Sequence, residues 1–144
     1  MQNDPPVQAS TASPAVATKS STGLDENVAS LLAYLFHAVS GLIFFVVEKN
    51  SRLVRFHAMQ SIILTGVFVV VGTALWILSF VIGIIVGYIS SLLGFLISVV
   101  IGLIGLVFLI AMFVAWVLCM IKAYQGQFFK LPVLGNFAEK FSQK

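Results

Sequence analysis

The chain has 144 residues, of which 60% are hydrophobic and only 9% charged, with a formal charge of +3 and a mean hydropathy of +1.08. A soluble domain carries about 25% charged residues, so the composition excludes an ordinary water-soluble fold. The basic residues cluster at Lys49, Arg52 and Arg55 and at Lys122, Lys130, Lys140 and Lys144. These positions flank apolar runs, which marks them as topological signals and argues against a nucleic-acid partner.

Residues 1–22 are rich in Pro, Ser, Thr and Ala. They hold too little apolar surface to offset the entropy of ordering, and they lack the basic start and apolar core of an export signal, so a disordered tail is expected. Thr22 and Asp25 have the spacing of a capping box, which starts the first helix there. The apolar block 28–47 has the roughly 20 residues that one crossing needs and serves as an uncleaved insertion signal. The connector 48–55 returns the chain to water, with Glu48 and Arg52 spaced for an i,i+4 pair.

From Ala58 to Ile121 there is no Asp, Glu, Lys or Arg. The spacing predicts crossings at 58–81 and 96–121, separated by an apolar turn or shallow re-entrant segment over 82–95. The basic connector and the basic tail both belong on the cytoplasmic side, so an even number of crossings must separate them. The expected fold is an all-α integral membrane protein with three transmembrane helices. Its membrane domain covers 23–141, its N-terminus lies outside, and a basic interfacial tail over 122–144 lies in the cytoplasm. Four transmembrane helices is the alternative, because Gly83, Gly87, Ser91, Gly94, Ser98 and Gly102 would line one face of a continuous helix through the turn. Such a ladder of small residues is a helix-packing seam, within the chain or in a homo-oligomer.

His37 is the ionisable side chain expected at membrane depth, either as a neutral imidazole bonded to a neighbouring helix or as the working group of a small transporter or pore. Arg52, Arg55, His57 and Gln60 form a candidate contact for anionic lipid headgroups or an acidic partner. Cys119 is the sole cysteine, so no disulfide can form within the chain. It reads as a small buried apolar residue, with palmitoylation as the alternative. Phe137 and Phe141 are expected to dip into lipid from a short interfacial turn. No nucleophile with its base, metal-ligand spacing or phosphate loop is visible, so neither enzymatic activity nor a cofactor or metal is expected.

Two stretches carry a family resemblance: 23–35 leading to the block 48–61, with Arg55-Phe-His-Ala-Met-Gln-Ser61 at its end, and Lys122-Ala-Tyr-Gln-Gly126 followed by Lys130-Leu-Pro-Val-Leu-Gly135. Together they resemble an uncharacterised family of small prokaryotic multi-pass membrane proteins, distantly similar to the Tic-type component of the chloroplast inner-envelope import machinery. The resemblance implies a prokaryotic plasma-membrane location. The packing seam and the lack of a catalytic constellation point to a helix-packing or assembly role, to which the resemblance adds a place in a protein-translocation or channel-like complex. The resemblance supplies no catalytic residues, and the Gly/Ser ladder departs from the shorter, proline-containing turn of that family.

Overall fold

A computed structural model describes residues 19–132 and 134–142. Residues 1–18 of the tail expected over 1–22, and Lys144, lie outside the described residues; residues 19–22 are held by hydrogen bonds instead, with Ser20 N–H donating to the Leu24 carbonyl at 2.8 Å. In the described residues five helices follow one another: α1 (Glu26–Leu35), α2 (Ala38–Val47), α3 (Arg52–Ile89), α4 (Ser91–Tyr124) and α5 (Leu134–Ser142). Among the described residues the only extended pairing is an isolated bridge between Lys19 and Asp25.

Among the described residues α3 and α4 are the two helices long and apolar enough to cross a membrane. Their 38 and 34 residues correspond to about 57 and 51 Å at roughly 1.5 Å per residue. They fold back on each other about a single residue, Ser90, whose hydroxyl accepts from Leu93 N–H at 3.3 Å and starts α4. Residues at similar distances on either side of Ser90 then meet across the pair. Gly94 packs so closely on Gly87 that a Cβ on Gly94 would stand 3.0 Å from the Gly87 backbone, and Gly83 faces Ser98. Further along, Phe68 stacks on Phe108 at 6.3 Å.

The break therefore falls inside the expected 82–95 turn, but it occupies one residue, and no shallow re-entrant segment forms there. The small-residue ladder is split between the two helices instead of lining one. Gly83, Gly94 and Ser98 lie in the seam, whereas a Cβ on Gly87 or Gly102 would meet nothing within 4 Å.

The single crossing helix expected over 28–47 does not form. The chain turns sharply at Phe36–His37 into two ten-residue helices, each about 15 Å long and half of a roughly 30 Å hydrocarbon core. No Gly or Pro marks the turn. Ser40 makes it by accepting from Phe36 N–H at 3.0 Å while its hydroxyl faces the Ala33 carbonyl at 3.0 Å. His37 takes the left-handed backbone region, with φ 53°, which costs a non-glycine residue on the order of 1–3 kcal/mol. The cost is offset where the His37 carbonyl accepts from Ser61 Oγ and Gly41 N–H, each at 3.0 Å.

α1 and α2 consequently run antiparallel, and the chain before α1 returns to the end of α2. Ser21 N–H and Ser21 Oγ each donate to the Glu48 carboxylate at 2.8 Å. Glu48 is fully buried and also accepts from Asn50 N–H and Ser51 N–H. It makes no pair with Arg52, because its oxygens are spent on three backbone N–H groups and the Ser21 hydroxyl. Nor does the expected capping box form: Asp25 precedes α1 without a side-chain bond, and Thr22 Oγ1 bonds Ser20 Oγ.

Both short helices lean on α3. Gly41 permits the approach, since a Cβ there would stand 2.9 Å from the Ala58 carbonyl oxygen. α5 also packs against α3. Phe137 and Phe141 are half exposed and line an apolar groove of about 460 Å³ together with Met59 and Ile63.

Candidate functional site

The tip of the α1–α2 pair reaches the level of Ser61 and Trp116, and the polar side chains of the protein's interior gather beneath it. Tyr34 and Ser30, one turn apart on α1, are fully buried. So are His57 and Gln60 of α3 and Cys119 of α4. His57 Nε2 lies 3.0 Å from the Gln127 carbonyl, which can only accept, so Nε2 carries the proton. In the neutral imidazole Nδ1 is then an acceptor, and the Tyr34 hydroxyl, 3.2 Å away, donates to it.

Cys119 Sγ accepts from Gln60 Nε2 at 3.7 Å. The result is a directed pair of bonds from Tyr34 through His57 to the Gln127 carbonyl, beside a bond from Gln60 to Cys119. It ties α1 and α3 to the end of α4. Two buried atoms, Gln60 Oε1 and Ser30 Oγ, have no partner in it.

This arrangement corrects the sequence reading of the connector. His57 and Gln60 are fully buried, so they cannot share a headgroup or partner surface with the exposed Arg52. Arg55 turns back on the protein, with Nη1 donating to the Glu48 carbonyl at 3.0 Å and its guanidinium 4.8 Å above the Phe45 ring. Only Arg52 of the expected group faces outward. The helical spacing of His57, Gln60 and Ser61 could have revealed a buried polar stripe, because residues at i, i+3 and i+4 share one helix face.

His37 stands apart from that chain. Its ring stacks on Trp116, 5.0 Å between centroids and 27° between planes. Trp116 is itself held by its indole N–H, which donates to the Tyr34 carbonyl at 3.1 Å. Cys119 is buried, as its apolar reading expects, and among the described residues no cluster of three His, Cys, Asp or Glu could hold a metal.

The sequence is similar to those of archaeal membrane proteins. It is 44% identical over 125 residues to a UPF0132 membrane protein of Methanocaldococcus jannaschii, covering 87% of this chain and 96% of that protein. A UPF0132 membrane protein of Archaeoglobus fulgidus is 37% identical over 117 residues, covering 81% and 95%. A second from Methanocaldococcus jannaschii is 38% identical over 122 residues, covering 83% and 71%. No protein-family model matches the chain, and no solved structure does.

Proposed function

We propose that this chain, which belongs to the UPF0132 family of membrane proteins, is a non-enzymatic assembly module that crosses the membrane twice, with α1 and α2 re-entering one leaflet from the basic side. The observation that carries the reading is the pair of bonds between Ser21 and Glu48. They hold the segment before α1 beside the basic connector, which supports an even number of crossings between them. With Lys49, Arg52 and Arg55 on the same side as Lys122 and Lys130, the positive-inside rule puts that side in the cytoplasm. The N-terminal side of α1 joins it there, in place of the outward position that a crossing at 28–47 would give.

α2 presents Val39, Leu42, Ile43 and Val46 outward, and the far half of the α3–α4 hairpin exposes apolar side chains from Val69 to Phe113. Surfaces of this kind suit lipid or neighbouring membrane helices. A place in a protein-translocation or channel-like complex, as the Tic-type resemblance implies, would use the hairpin faces in this way.

Affinity purification in mild detergent, followed by native gels and mass spectrometry, tests the module. The reading expects a defined assembly, of second copies or of another membrane protein, and altered assemblies on deletion. A lone lipid-solvated chain whose deletion abolishes a solute flux would support the rival reading, a small transporter or pore using His37.

A further inference from the structure

Because α1 and α2 stop halfway along α3 and α4, they leave a shelf under their tip. A half-open cavity of about 160 Å³ lies there, lined by Leu64, Thr65 and Phe68 of α3, by Phe113 and Trp116 of α4, and by His37 at the tip. An apolar cavity of about 150 Å³ is large enough to take a benzene-sized molecule. The lining is apolar and aromatic apart from two groups. Thr65 has already given its hydroxyl proton to the Ser61 carbonyl at 2.8 Å. The His37 ring, by contrast, has no hydrogen-bond partner among the described residues.

His37 is also held in place more firmly than a lipid-facing side chain requires. Its strained backbone is pinned through its carbonyl by Ser61, and its ring rests on an indole whose own N–H is committed to Tyr34. Strain retained by surrounding contacts is a feature of ligand clamps. An imidazole left unbonded at apolar depth gains by meeting a polar atom.

We propose that this cavity binds the head of a membrane-soluble amphiphile: a flat, single-ring group of phenol or quinone type, its ring against Trp116 and Phe113 and its oxygen hydrogen-bonded to His37. The open side of the cavity leaves room for a tail to pass into lipid. The site stands independently of the number of crossings, since it needs only the tip to sit against α3 and α4.

The test uses 4-bromophenol, whose bromine quenches indole fluorescence, with the full chain in lipid nanodiscs. Trp76→Phe leaves Trp116 as the only tryptophan, because the sequence has two. The expected result is saturable quenching of Trp116, with bromobenzene, which lacks the hydroxyl, binding about threefold to tenfold more weakly. His37→Leu should weaken 4-bromophenol by a similar factor and leave bromobenzene unchanged, while His37→Asn, which keeps a polar group and tolerates positive φ, should retain part of the preference. Leu109 of α4 also lines the cavity, so Leu109→Phe narrows it without touching the turn and should weaken both probes, which keeps the test decisive if His37→Leu fails to fold. Quenching that rises linearly without saturation, equal affinity for the two probes, or full binding by Leu109→Phe would overturn the proposal.

Discussion

Ser21 and Glu48 meet through two hydrogen bonds of 2.8 Å although 27 residues separate them. That contact closes α1 and α2 into a pair whose ends lie together. It predicts a pH-dependent stability. Burial by itself would raise the Glu48 carboxyl, but the donors at Ser51, Ser21 and Asn50 outweigh it and hold its pKa below the ordinary 4.5. A carboxylate whose pKa is depressed on folding contributes stability that is complete above its unfolded pKa and is lost as the pH falls through the folded value. Glu48→Gln should therefore unfold more readily than the parent at neutral pH, by about 1–3 kcal/mol, and the gap should close below pH 4.5. Thermal unfolding in detergent across that range measures it; a gap independent of pH would mean that the charge is not what binds Ser21.

The seam of the long hairpin is asymmetric. Gly94→Leu drives a side chain into the Gly87 backbone 3.0 Å away and should cost about 1–3 kcal/mol. Gly87→Leu points into open space and should be neutral or slightly stabilising, since Leu favours helix over Gly. Equal losses in thermal stability for the two variants would contradict this packing.

In the buried cluster, Tyr34→Phe keeps the ring and removes the one donor available to His57 Nδ1. Leaving that buried acceptor unpaired should lower stability by about 1–3 kcal/mol, measured as a drop in thermal midpoint with secondary structure unchanged. A midpoint equal to the parent's would show that His57 finds another donor.

The two connector arginines should respond differently to lysine. Arg55→Lys gives up the stacked position over Phe45 and the directed bond to the Glu48 carbonyl, at a cost of about 0.5–1 kcal/mol. Arg52→Lys, at an exposed site, should leave stability unchanged. Guanidinium chloride would mask the comparison through its own ionic strength, so urea titration of both variants is the suitable measurement.

The charge-free stretch beginning near Ala58 announced a membrane chain because lipid tolerates few ionised groups, and charge placement located both ends of the α3–α4 hairpin. The turn at Ser90 was legible only as a region: a serine cap needs no Gly or Pro to mark it. The break at His37 was hidden for the same reason. Twenty apolar residues satisfy the length rule for one crossing, and what bends them is the Ser40 hydroxyl reaching Phe36 and Ala33, a contact that hydropathy does not register. His57 and Gln60 read as interfacial because charged residues precede them, yet α1 and the end of α4 cover them. Tyr34, which joins α1 to His57, looked like any aromatic in a membrane helix.

The most direct measurement is thiol accessibility in intact cells, with Cys119→Ala as background and single cysteines at Thr22, Asn50, Gln125 and Ser91, all exposed positions. A re-entrant α1–α2 pair predicts that Thr22, Asn50 and Gln125 all escape a membrane-impermeant reagent while Ser91, at the far turn, is labelled. Labelling at Thr22 with Asn50 protected would place the two on opposite sides of the membrane and contradict the account.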